Sequence, residues 1–247
     1  MESIVEICKE VLKRLTTIGY EKEGLVSSGQ LIFPSKNSGK RISEQELRQL
    51  FIEEFKEKHT DLYFSIETPT VYKYSFTNEL NDICVSEKGQ SALIDMCILQ
   101  KKSEVSDYNR LLNIEFKHKN VTEAIISKDI LKLMHEKEDG AFILLLKNTD
   151  DGTLKSVFKK CLSSFDTHLQ NNYWSKNDSF IEIIILSLEE KTKNNGIPFL
   201  IHRKIISVNN LKDIFSFDGN LRIFEQVEKN GWEVEPIDVK DRNKRSL

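Results

Sequence analysis

Apolar positions fall into short blocks whose period changes along the chain. Ile4, Val5, Cys8, Val11, Leu12 and Leu15 recur at helical spacing ahead of Gly19, which predicts a helix over 2–16. Residues 20–41 are polar and turn-rich around a short apolar piece at 31–33. Ser43 with Glu46 three residues on is a capping box, and Leu47, Leu50, Phe51 and Phe55 supply the apolar face of the helix it opens. Leu62, Phe64 and Ile66 alternate as a strand does; Pro69 then interrupts, and 71–76 is expected to be the returning strand. Strands are predicted over 90–99 and 111–117 as a hairpin or meander, then a helix over 122–136, a strand over 141–146, a helix over 154–170 and a strand over 180–188. From residue 43, with 71–76 counted as the return of the strand before Pro69, the order is helix, three strands, helix, strand, helix, strand. That order predicts an α/β fold, a central mixed sheet flanked by helices. After 194–196 the pattern weakens, with a further strand expected over 198–207 and a short helix over 221–228.

Composition narrows the class without naming a function. The chain has 247 residues, enough for a single domain over 1–247 with its own core. We divide it into an N-terminal helix at 2–16, a core at about 43–190 and a C-terminal extension at 197–247. Apolar residues make up 39% and charged residues 30%, as in a globular protein. The net charge of −3 gives no global attraction to nucleic acid, so any such binding must come from a local basic face. No apolar run approaches a membrane span, and Glu2 and Glu6 stand where a secretory signal would be basic, so no membrane association and a cytoplasmic location are expected. Cys8, Cys84, Cys97 and Cys161 are scattered and are expected to be reduced thiols. No phosphate-binding glycine loop or nucleophile elbow occurs, and the histidines form no hydrolase triad.

The chemistry lies in carboxylates that break the apolar pattern. Asp95 is the one charge inside the strand IDMCIL, where helices on both faces would call for apolar side chains. A buried carboxylate has to be paired, hydrogen-bonded or metal-bound. On the next strand Leu112, Ile114 and Phe116 fall on one face, and Asn113, Glu115 and Lys117 on the other. Glu115 and Lys117 therefore project side by side, about 7 Å apart. If the two strands are neighbours, three charges converge. Two carboxylates suit a hard divalent cation such as Mg²⁺, and an adjacent lysine can orient or activate water and offset transition-state charge. That set is what phosphodiester hydrolysis needs. The alternative for the Glu-x-Lys pair alone is a solvent-facing ion pair on an edge strand.

GQSALIDMCIL followed by NIEFKHKN resembles the PD-(D/E)xK nuclease superfamily, with Asp95 matching the first acid and Glu115 and Lys117 the ExK pair; Ile94 stands in the place of the proline. The resemblance covers about residues 43–147. It implies a restriction endonuclease-like core and Mg²⁺- or Mn²⁺-dependent hydrolysis of nucleic acid, DNA being the expected substrate. It further implies metal held by Asp95, Glu115 and the Phe116 carbonyl, with Lys117 positioning water. Glu46, on the helix before the first core strand, is the expected auxiliary catalytic acid, its other role being the capping box; Glu44, on the same side as Leu47 and Phe51, stands second, and Glu54 lower. Lys128, Lys132 and Lys119 are the candidate nucleic-acid contacts, against a solvated charged face around Asp129. The segment 65–70, SIETPT, is either a turn or a loop that offers hydroxyls to phosphate. Arg48 is expected to be a surface or salt-bridging residue. A homodimer is compatible with the resemblance. The rival reading is a catalytically inactive nuclease-fold protein acting as a binding or assembly module.

Overall fold

The computed structural model of the chain describes residues 3–17, 25–36, 39–40, 42–76, 83–102, 107–147, 149–188, 197–217, 221 and 223–237. The first helix is α1 (Ile4–Thr17). It is followed by β1 (Leu25–Ser28), β2 (Leu31–Lys36) and β3 (Gly39–Lys40), which form a small antiparallel sheet of their own. The sequence pattern predicts a polar, turn-rich stretch around the apolar piece at 31–33 and no sheet. The β1–β2 hairpin closes over two residues, and Gly29 takes φ +63°, which glycine adopts without strain.

Helix α2 (Glu44–Lys58) begins at the expected capping box: Glu46 accepts from the Ser43 amide at 2.7 Å and from its hydroxyl. Next come β4 (Tyr63–Phe76), β5 (Ile83–Val85), β6 (Gln90–Lys101) and β7 (Tyr108–His118). Then α3 (Glu123–His135), β8 (Asp139–Leu146), α4 (Asp151–Gln170) and β9 (Ile181–Ser187) alternate. The chain ends with β10 (Phe199–Ile205), α5 (Leu211–Ile214), α6 (Ile223–Lys229) and β11 (Glu233–Pro236).

The large sheet has eight strands in the order β11-β10-β9-β8-β7-β6-β4-β5. The β4–β6–β7 stretch is antiparallel, β7–β8–β9 is parallel, and β10 and β11 return antiparallel. The sheet is therefore mixed, and the C-terminal strands extend the sheet of the core.

One expectation is corrected. Residues 63–76 form a single 14-residue strand, not two strands broken at Pro69. The register against β6 shifts between Pro69 and Lys73, so proline, which has no amide hydrogen, sits where the ladder is already interrupted. The freed amides of Val71 and Tyr72 donate to the buried carboxylate of Glu136, at 3.0 and 3.1 Å.

Alternation along the strands makes two large cores, beside a small cluster of Tyr74, Ile83, Ala92 and Leu131. Met96, Ile98, Leu112, Ile114, Phe116 and Ile143 pack under α1 and α2. Phe142, Leu144, Ile183 and Ile185 pack under α3 and α4, joined by α5 and Trp232. With both faces covered, β8 and β9 are buried almost throughout. Among the described residues no helix is long and apolar enough to cross a membrane.

Candidate active site

β6 and β7 pair as far as Met96 opposite Ile114. Beyond that point the Phe116 amide donates to the carboxylate Oδ2 of Asp95, at 2.8 Å. A side chain thus replaces a main-chain acceptor where the ladder ends, and this fixes the Asp95 carboxylate beside β7. Because β7 turns Leu112, Ile114 and Phe116 into the α1/α2 core, Glu115 and Lys117 face α3. Asp95, Glu115 and Lys117 line one cleft of about 690 Å³.

Lys117 is the hub of the site. Its ammonium donates to the Phe116 carbonyl at 2.6 Å and lies 3.0 Å from Asp129 Oδ2, 3.5 Å from Glu44 Oε2 and 3.6 Å from Asp95 Oδ2. A second ammonium, that of Lys132, lies 2.5 Å from Glu115 Oε1 and 3.0 Å from Asp129 Oδ1, and donates to the Leu93 carbonyl at 2.9 Å. Glu115 is 1% exposed, and its other oxygen, Oε2, is buried with no hydrogen-bond partner. Four carboxylates (Glu44, Asp95, Glu115 and Asp129) therefore share two ammoniums.

The electrostatics follow from that imbalance. Burial, together with Asp129 and Asp95, pushes the Glu115 carboxyl well above the usual range, against the pull of Lys132 and Lys117. Burial would also raise Asp129, but the two ammoniums on it hold it below its ordinary value. Burial would lower Lys117 and Lys132, but the surrounding acids outweigh it and raise both. Burial raises Glu44, with Lys117 opposing.

The remaining predicted residues are placed variously. Glu46 is held by the Ser43 cap and lies on the side of His118, whose pKa is lowered by burial and Lys119. It is Glu44, the neighbouring acid on α2, that reaches Lys117. Glu54 pairs with Arg14 at 3.0 Å. Lys132 is 3% exposed and committed to acids, so it does not face solvent as a phosphate contact would. Lys128 is half-buried on the cleft wall, and Lys119 is exposed at the end of β7 with φ +74°. In the 65–70 segment the hydroxyls are used internally: Ser65 and Thr68 bond each other at 2.6 Å, and Thr70 accepts from the Ala92 amide and donates to the Tyr72 carbonyl. Glu67, with φ +49°, lines the cleft and pairs with Arg48 at 2.6 Å.

Asp129 was not anticipated as a member of the site, and Lys132 was expected as a nucleic-acid contact rather than as the partner of Glu115. The signal was present: Asp129 is three residues after Ile126 and four before Leu133, on the buried face of α3 rather than its solvated one.

Among the described residues no group of three or more His, Cys, Asp or Glu side chains is gathered to hold a metal ion; in the cleft, ammoniums stand between the acids. The donor chemistry nevertheless suits a hard divalent cation. The candidate ligands are carboxylate oxygens, Glu115 Oε2 lacks a partner, and the acids exceed the ammoniums by two. No protein-family model matches the chain, and no curated protein or solved structure matches it significantly.

Proposed function

We propose that the protein is a divalent-metal-dependent nuclease with a restriction endonuclease-like core, acting on nucleic acid, in the first instance DNA. The observation that carries this reading is the meeting of Asp95, Glu115 and Lys117 in one cleft at the end of the β6–β7 ladder. With the short edge strand β5 set aside, the order α2, β4, β6, β7, α3, β8 supports it, because the resemblance implies a core of helix, three strands, helix, strand.

In this reading Asp95 and Glu115 hold Mg²⁺ or Mn²⁺, with the Phe116 carbonyl as a further oxygen donor. The cation supplies Lewis acidity and a more acidic water. Lys117 keeps its ammonium beside the acids and offsets negative charge as it develops on the phosphate. Glu44, not Glu46, is the acid of α2 placed to orient Lys117. Lys128 is the cation on the cleft wall suited to a phosphate oxygen.

Incubation of the purified chain with DNA in Mg²⁺ or Mn²⁺, against EDTA, tests the reading, with metal binding followed by calorimetry. Wild type is expected to bind metal and cleave. Asp95→Ala is expected to lose metal, and Lys117→Ala to keep metal and DNA binding while losing cleavage by about 10²-fold or more. The inactive binding-module reading draws on the ammoniums that already occupy the acids, Lys132 on Glu115 above all. Absence of metal binding by wild type at millimolar concentration would decide for it.

A further inference from the structure

We propose that Asp129 is a positioning residue that draws the Lys117 ammonium toward itself and so weakens its hold on Asp95, leaving that carboxylate more available to a divalent cation. The inference rests on the metal-nuclease reading and assigns the task to a residue outside the Asp95, Glu115 and Lys117 set.

Of the carboxylates around Lys117, Asp129 is the nearest at 3.0 Å, against 3.5 Å to Glu44 and 3.6 Å to Asp95. Asp129 is also the most buried of the three. It is 3% exposed, and its second oxygen is engaged by Lys132. Lys132 is anchored in turn on Glu115 and on the Leu93 carbonyl. Asp129 and Lys132 are three residues apart on α3, so one helical face presents an acid to Lys117 and an ammonium to Glu115. Each charged member of the β7 pair thus has its own counter-charge on α3.

Removing the charge at 129 leaves Lys117 with Asp95 and Glu44 as its carboxylate neighbours. An ammonium drawn onto Asp95 competes with a cation for the same oxygens. The cost of losing Asp129 is therefore transmitted through Lys117 and vanishes when Lys117 is absent. An ion pair that merely pinned α3 to the sheet would behave differently: Lys117→Ala would break the same pair and weaken Mn²⁺ binding as Asp129→Asn does, whereas here Lys117→Ala removes the competing ammonium and leaves Mn²⁺ binding at least as tight as in wild type.

Calorimetric titration with Mn²⁺ of wild type, Asp129→Asn, Lys117→Ala and the double variant separates the two. Asp129→Asn is expected to weaken Mn²⁺ binding about tenfold when Lys117 is present and less than about twofold in the Lys117→Ala background. Equal weakening in both backgrounds, none in either, or Mn²⁺ binding by Lys117→Ala alone weakened as much as by Asp129→Asn, overturns the inference. Wild type that binds and cleaves beside an unchanged Asp129→Asn overturns this inference alone, whereas wild type that binds no Mn²⁺ overturns the nuclease reading with it. If Asp129→Asn does not fold, as judged by circular dichroism, Asp129→Ser is measured in the same two backgrounds against the same criteria.

Discussion

Glu115 carries the sharpest conflict in the molecule, a carboxylate 1% exposed with one oxygen on Lys132 and the other on nothing. Its raised pKa fixes the sign of a stability effect. A group whose folded pKa lies above its unfolded value contributes stability below the unfolded pKa, and that stability is lost as pH rises through the folded value. At neutral pH without metal, ionised Glu115 is therefore a cost. Glu115→Gln removes the charge at almost constant shape, although Lys132 loses one of its two acids. The offset from Lys132 does not depend on pH in this range, so the melting-temperature difference, variant minus wild type in EDTA, should rise between about pH 5 and about pH 8. Added Mg²⁺ should raise wild type more than the variant. A pH-independent difference would mean that Lys132 already holds Glu115 as a settled carboxylate. At this scale Asp95 was legible because a charge inside IDMCIL has no bland explanation. Asp129 was not, and Lys132 was legible as a candidate but not in its role on Glu115, because lysines and an acid on a helix look solvated until the buried face is known. Glu44 and Glu46 differ by how the start of α2 sits against β7, which local spacing does not contain.

Elements were legible where one face alternates against one core, as in β6 and β7, and where a helix has a local start signal, as in α2 at Ser43. They were misjudged where a distant group completes them. β4 is continuous through Pro69 because Glu136, at the C-terminal end of α3, accepts the amides that β6 does not. Glu136 is fully buried and also approaches Arg110 at 3.3 Å and the Tyr74 hydroxyl at 3.5 Å. Burial presses the Tyr74 hydroxyl pKa upward, with Glu136 adding to it. Glu136→Ala would leave two amides and a guanidinium without their carboxylate, so a loss of about 3 kcal/mol is expected in denaturant unfolding. Hydrogen exchange should accelerate at Val71 and Tyr72 before it does in β8. If those amides exchange as in wild type, the irregularity in β4 is held by its own backbone. Gly89 is a second case of distant completion: a Cβ there would collide with the Tyr74 carbonyl, so the approach of β6 to β4 requires glycine.

On the scale of the whole molecule, the mixed sheet with helices on both faces was readable from the order of periods, whereas the attachment of β10 and β11 to its far edge was not, because short strands carry little pattern of their own. Such a two-sided burial also collects titrating groups, and their sum sets stability at alkaline pH. Burial raises the Cys8 thiol well above its ordinary range, Cys97 to about 11 and Cys161 to about 12. Each raised thiol means stability lost as pH climbs past the unfolded thiol value toward the folded one. Lys176 opposes them. It is 4% exposed, donates to the Glu138 carbonyl, and burial lowers its pKa to about 8 despite Asp139, Glu138 and Glu136. A lowered lysine disfavours its charged form in the fold, so the cost is full below about pH 8 and fades as pH rises from there toward the unfolded value near 10.4. Lys176→Met removes that titration and leaves the thiols in place, so their contribution cancels in the difference. Any fixed cost of leaving the Glu138 carbonyl unpaired cancels as well, because it does not vary with pH. The stability of wild type relative to Lys176→Met, from urea unfolding under reducing conditions, should therefore increase by about 3 kcal/mol between about pH 8 and about pH 10.5. A constant gap across that range would show that Lys176 reaches water in the folded protein and titrates as an exposed lysine does.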